Sequence, residues 1–260
     1  MKRQPALFVS HGSPTLPLER GPAVDFLRSL GGELGRPEAI LSVSAHWDTD
    51  RPAVSAAKKP ETIYDFHGFP PELYRLRYPA PGAPQLAERV SGLLQAKGLK
   101  TDIDPGRGLD HGAWTSLYLM YPEANIPVTQ LSIQSHLGPA HHVKLGEALR
   151  PLRDEGVLIM ASGGATHNLR ELSIQRGNPV PQPWTVEFNE WLADALLGRR
   201  TQDLVSYRTK APQAVRNHPT DEHLIPVFVA VGAGDPGGKT ERLHNSISSG
   251  VISMDAYRFD

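Results

Sequence analysis

The chain has 260 residues, with 27 Lys and Arg against 28 Asp and Glu, so its formal net charge of -1 draws it toward neither phosphate backbones nor acidic membranes. It contains no cysteine, which excludes disulfides, thiolate zinc sites, iron–sulfur clusters and cysteine nucleophiles; any metal must take nitrogen and oxygen ligands. No stretch approaches the roughly 20 apolar residues that span a bilayer, and the basic start Met1-Lys2-Arg3 leads into only a short apolar run, so one cytoplasmic domain without nucleic-acid or membrane partners is expected.

Residues 6–10 read as a buried strand that opens into His11-Gly12-Ser13-Pro14. A helix from Pro22 through Leu30 and a second buried strand over 39–44 follow, with His46-Trp47 just past its end. The strand–helix–strand order suggests a parallel pair. Residues 59–84 carry six prolines among Tyr64, Phe66, Phe69, Tyr74 and Tyr78. An irregular stretch this long is usually functional or disordered, and its aromatics argue against disorder, so it reads as a wall or lid of a site. A helix over 83–97 and a strand near 99–103 come next, then turn-rich residues 104–108 and Asp110-His111-Gly112 entering a helical segment through Trp114, Leu117 and Met120. A strand at 126–133, a helix at 140–153 and a buried strand at 157–162 lead to Gly163-Gly164-Ala165-Thr166-His167-Asn168. Pro183 starts a helix running to Leu197. Thr220 reads as the cap of a last helix with His223 in its first turns, and Pro226 is tolerated only near that helix's start.

His11, His46, His167 and His223 thus fall where predicted strands end or a helix begins, which is where open α/β sheets form ligand sites. Several imidazoles meeting there point to a metal, and His11, His46 and His223 converge if the first two strands are neighbours and the last helix docks across their ends. The separations match no local ligand signature, so ordinary structural roles stay open. His136, His141, His142 and His244 read as surface or capping residues, and His218, held before Pro219, has no reason to face the same centre. His67 lies in Asp65-Phe66-His67-Gly68, where a place on the lid and a plain turn position are both open. His111 and His167 suit proton transfer beside a metal, because an imidazole titrates near neutral pH. A phosphate cradle before His167 lacks both a Lys-Ser/Thr ending and a GxGxxG pattern, and Ser13 lacks the Gly-x-Ser-x-Gly elbow of a serine hydrolase.

Five motifs in order carry a resemblance: Phe8-Val9-Ser10-His11-Gly12-Ser13-Pro14, Ser44-Ala45-His46-Trp47, Asp110-His111-Gly112, Ser162-Gly163-Gly164-Ala165-Thr166-His167-Asn168-Leu169 and Pro219-Thr220-Asp221-Glu222-His223-Leu224-Ile225-Pro226. Together they resemble the class III extradiol ring-cleaving dioxygenases, the LigB-like family, and within it the 4,5-DOPA dioxygenase branch. The resemblance implies a single α/β domain over residues 1–260, with a central, mostly parallel mixed sheet flanked by helices. It also implies one Fe(II) or Zn(II) per chain held by His11, His46 and His223, with His167 as acid/base and an additional ligand in the resting site, and His111 on the substrate side. A catechol and O2 would be the reactants and a semialdehyde the product. The best-understood relatives use two histidines and a glutamate, whereas this motif ends in His223, with Glu222 beside it. Phe66, Phe69, Tyr74 and Trp47 are the expected apolar pocket wall, with His67 near them, and the loop carrying Arg75 and Arg77 is where selectivity for a zwitterionic ring substituent is expected. A zinc hydrolase and a catalytically idle zinc- or catechol-binding protein on the same fold are the rival readings, and monomer and homodimer both remain open.

Overall fold

The computed structural model describes residues 2–175 and 178–260. Strand β1 (Ala6–Ser10) leads through α1 (Pro22–Leu34) to β2 (Ala39–Asp48) and the short β3 (Ala53–Ser55). After the aromatic loop come α2 (Pro84–Gln95), β4 (Asp102–Asp104), α3 (His111–Met120), β5 (Val128–Ile133), α4 (Gly138–Leu149), α5 (Pro151–Asp154) and β6 (Val157–Gly163). The helices α6 (Leu169–Ile174), α7 (Pro183–Leu197), α8 (Thr201–Val205), α9 (Tyr207–Lys210), α10 (Ala214–Asn217) and α11 (Ile225–Ala233) follow, and β7 (Thr240–His244), β8 (Ile247–Ser248), β9 (Ile252–Ser253) and β10 (Ala256–Phe259) close the chain.

Eight strands form one sheet in the order β4-β3-β5-β2-β6-β1-β10-β7. Its centre, β5-β2-β6-β1, is parallel, while β10 pairs antiparallel with both β1 and β7. The mixed, mostly parallel α/β architecture is therefore as expected. Strand alternation explains why both faces are covered: Ala6 and Phe8 of β1 and Ile159 and Ala161 of β6 pack with α2, α4, α7 and α11, whereas Leu7, Val9, Leu158 and Met160 pack with α1, α3 and the aromatic loop. Such strands bury every side chain and appear in the sequence as unbroken apolar runs. Helices α4 and α11 cross at glycines: a Cβ on Gly146 would lie 2.1 Å from Val229 O, and one on Gly232 would lie 2.0 Å from Val143 O. That close approach sets the packing of α11 on α4.

Three expectations are corrected. β1 and β2 are not neighbours, because β6 lies between them and its Gly163 O accepts the His11 N–H at 3.0 Å. β2 runs past residue 44 to Asp48, with an irregularity between Val43 and Asp48, so His46 and Trp47 are inside the strand rather than beyond it. The last helix begins at Ile225, not after Thr220: Pro226 fits only a first turn, where no intrahelical N–H is needed, so His223 sits in the turn before the helix. Thr220 caps nothing and instead donates to Glu222 Oε1 at 3.0 Å. No helix among the described residues is long and apolar enough to cross a membrane.

Candidate metal centre and active site

The carboxyl ends of β1, β2 and β6 meet at a point where the strand order reverses, the usual place for a ligand crevice in such a sheet. His11 follows β1 directly, and Gly12 at φ +61° turns the chain away into the wall of a cavity. His46 comes from β2, and His223 from the turn before α11. One nitrogen from each lies within 4.8 Å of the other two, and His11 Nε2 stands 3.0 Å from His46 Nε2.

Hydrogen bonds on the far side of the His11 and His223 rings fix which nitrogen of each faces inward. Ser162 Oγ donates to Gly112 O at 2.5 Å, so toward His11 it can only accept; His11 Nδ1, 2.9 Å away, therefore carries the proton and Nε2 the lone pair. His223 Nδ1 donates to Glu222 Oε1 at 3.0 Å, and His46 Nδ1 stands 3.4 Å from Asp65 Oδ2. Burial, reinforced by the neighbouring imidazoles, lowers the pKa of His11 well below its ordinary value; burial is likewise the main cause of the drop at His46 and His223. All three are neutral at pH 7. Three converging neutral imidazoles with polar groups behind them are a donor set that fits Fe(II) or Zn(II).

Two more imidazoles flank this group. His167 stacks on His223 with ring centroids 3.4 Å apart and planes within 5°, and burial pushes its pKa down to about 4 against the opposing pull of Glu222. His111, the first residue of α3, lies 3.9 Å from His46 by ring centroid and donates from Nδ1 to Asp65 Oδ2 at 2.9 Å. Burial alone would raise the Asp65 carboxyl, but its side-chain and backbone hydrogen bonds and charge interaction with His111, with a further one from His46, together outweigh that and hold its pKa at about 2. Asp110 accepts from Ala113 N–H as the helix cap and also from Ser44 Oγ at 2.6 Å and Arg107 Nη2 at 3.0 Å, tying β2 to the start of α3. Those two elements approach so closely that a Cβ on Gly112 would fall 2.4 Å from Ser44 Oγ.

All five histidines line a cavity of about 830 Å³ whose other walls include Phe66, Phe69, Leu16, Leu169, Leu172, Ile252 and Met254. Phe66 and Phe69 occupy the wall expected of the aromatic loop. Trp47 does not: it alternates with His46 along β2, points to the opposite side and lies under Arg107, 5.0 Å from the ring. Tyr74 packs behind Phe66 at 5.3 Å and is off the cavity, and His67 is exposed on the loop's outer side. Arg75 and Arg77 are likewise exposed and outside the cavity, whereas Arg20 is on its wall. Asp65 and the C-terminal apolar wall of Ile252 and Met254 carry no local motif that marks them as part of a site. His142 is buried rather than at the surface: its Nδ1 donates to Gly138 O and its Nε2 accepts from Gln134 N–H. His218 is also buried, donating to Ala165 O at 2.9 Å and away from the cluster.

Residues 5–260 match the model of the catalytic LigB subunit of aromatic ring-opening dioxygenase. This chain belongs to the LigB family and is an extradiol ring-opening dioxygenase. A 4,5-DOPA dioxygenase extradiol of Beta vulgaris is 46% identical over 260 residues, covering 97% of this chain and 95% of the relative. A protein of the same name from Escherichia coli K12 is 43% identical over 255 residues, with 97% and 93% covered. The fold agrees as well. A crystal structure of a protein from Escherichia coli K12, described as uncharacterized, superposes with a TM-score of 0.83 at 36% identity, covering 99% of this chain and 100% of that one. The LigB resemblance drawn from the five sequence motifs is thereby met.

Proposed function

We propose that this dioxygenase opens the ring of a catechol of the 4,5-DOPA type with O2, using one divalent cation, Fe(II) in the active form, held by His11, His46 and His223. The observation that supports this most is the convergence of three neutral imidazoles, each with its outer nitrogen facing a polar group, on one end of an apolar cavity. The relatives' common name supports the substrate class. When bound, the cation supplies Lewis acidity toward the catechol oxygens and a redox path between catechol and O2.

Phe66, Phe69 and Met254 give the aromatic ring an apolar slot beside the histidines. His167 holds a lone pair at pH 7 because burial disfavours its charged form, so it can take the second catechol proton. Glu222 faces both His223 and His167 and stabilises positive charge that arises there during the transfer. His111, beside His46, is placed to take up the first catechol proton at its cavity-facing nitrogen and return it to the opening ring.

Anaerobic loading with Fe(II), then oxygen-electrode and yellow-product assays with DOPA and several simpler catechols, tests the reading. Oxygen uptake coupled to a coloured semialdehyde is expected. Full metal loading with no oxygen uptake from any catechol overturns it; hydrolytic turnover of the zinc form would instead favour the hydrolase.

A further inference from the structure

Asp65 is tied to His111 by both of its oxygens. Oδ1 accepts the His111 backbone N–H at 2.9 Å, one of the donors that the first turn of α3 leaves without an intrahelical partner. Oδ2 accepts from His111 Nδ1, also at 2.9 Å. An ionised carboxylate has no proton to donate, so Nδ1 must carry the hydrogen, and in the neutral ring the lone pair is then on Nε2. Nε2 has no hydrogen-bond partner among the described residues, and the ring lines the cavity.

The carboxylate itself is rigidly placed. Leu109 N donates to Glu61 O and Ile63 N to Leu109 O, both at 2.8 Å, and Trp114 Nε1 donates to Ile63 O at 3.0 Å, so the segment before Asp65 is joined to both sides of His111. Phe66, the next residue, meets the His111 ring edge-on at 5.7 Å and forms part of the substrate slot. From this geometry we infer that Asp65 is a positioning residue: it locks His111 in the Nδ1–H tautomer with Nε2 open to the cavity, and it couples that imidazole to the loop that walls the substrate. This rests on the proposed role of His111 in proton transfer. His46 Nδ1 is near the same Oδ2, but at the longer separation of 3.4 Å, so the stronger hold is on His111.

Asp65→Asn separates positioning from plain support. The amide oxygen can still accept the His111 backbone N–H, while the amide NH2 would face Nδ1 and drive the ring to the opposite tautomer, leaving Nε2 protonated. The expected result is a fall in kcat of about 10-fold or more, KM for the catechol within about 3-fold, and unchanged metal content, with no further loss when Asp65→Asn is added to His111→Ala. Equal losses in the two backgrounds, an unaltered kcat, or loss of the metal would overturn the proposal. Nitrogen-15 NMR of the zinc-loaded wild-type protein provides a reading independent of turnover and of variant folding: a Nδ1–H signature for His111 supports the inference and a Nε2–H signature ends it. Absence of oxygen uptake by the iron-loaded wild type would count against the catechol reading, while leaving the tautomer measurement readable.

Discussion

Gly163→Ala should loosen metal binding without unfolding the protein. Gly163 ends β6 directly against the turn that carries His223, and Gly164 N donates to His223 O at 2.8 Å. A Cβ at position 163 would fall 2.2 Å from His223 O, where ordinary van der Waals contact begins near 3.4 Å, so the His223 turn must retreat by about 1 Å. Such overpacking costs about 1–3 kcal/mol, which a folded domain survives, but a displacement of this size at a ligand lowers metal affinity by roughly 10–100-fold, the range seen when the groups orienting ligands are lost. Gly146→Ala is the control: its Cβ would lie 2.1 Å from Val229 O in the α4–α11 crossing, an equal clash away from the histidines. Competition with a chromophoric chelator measures affinity, and thermal unfolding of the metal-free proteins measures stability. The expected pattern is comparable destabilisation in both variants with weakened metal binding in Gly163→Ala alone. Wild-type affinity in Gly163→Ala would refute the reasoning, because it would mean that the position of the His223 turn does not set the site.

A cation that binds only the folded chain adds about 2.7 kcal/mol at 100 times its Kd, so chelation of the wild type should lower Tm by several degrees, and His46→Ala should abolish that metal-dependent increment in a melting assay. His167→Ala should keep metal and bind catechol with little change, while kcat falls by roughly 10²–10⁴-fold in steady-state oxygen uptake. His142 is buried neutral, with its pKa lowered from 6.5 to about 4 chiefly by burial, so the unfolded chain binds the extra proton between those values. Its contribution is therefore full above pH 6.5 and fades toward pH 4, by an amount on the order of 3 kcal/mol. Chemical denaturation should accordingly show His142→Gln costing more at pH 7 than at pH 5; a cost that does not vary with pH would contradict this.

What could be read from the chain depended on how local each cause is. β1, β2 and β6 are covered on both faces, so their apolar runs announce them, and His11, His46 and His223 stand out because they follow such runs or a helix start. Strands β7 to β10 pass unassigned because each has two to five residues, and β10 is held by pairing with β1 rather than by any pattern of its own. His142 reads as a surface residue because His141-His142 looks polar, yet in α4 only the His142 ring turns fully inward, where it accepts the Gln134 backbone N–H, while His141 stays half-buried. Asp65 was visible only as a neighbour of His67. Its role depends on the loop folding back onto α3, 46 residues away in sequence, and nothing near it in the chain encodes that contact.

The carboxylates explain how a site of three imidazoles can be balanced without a glutamate ligand. In a two-histidine, one-carboxylate site, negative charge touches the cation directly. Here, in the proposed ligand set, Glu222 faces the outer nitrogen of His223, and Asp65 lies near those of His46 and His111. The anionic charge is thus kept one imidazole away from the cation, and at His223 it strengthens the ligand's basicity through the Nδ1 hydrogen. A cation surrounded directly by neutral nitrogen keeps more of its own charge for the incoming catechol oxygens, favouring loss of the first proton. In the proposed reaction the second proton falls to His167, stacked on the same His223 that Glu222 supports. On this proposal, moving the carboxylate outward shifts the acid–base work onto histidines, in keeping with the five that line one end of a single cavity.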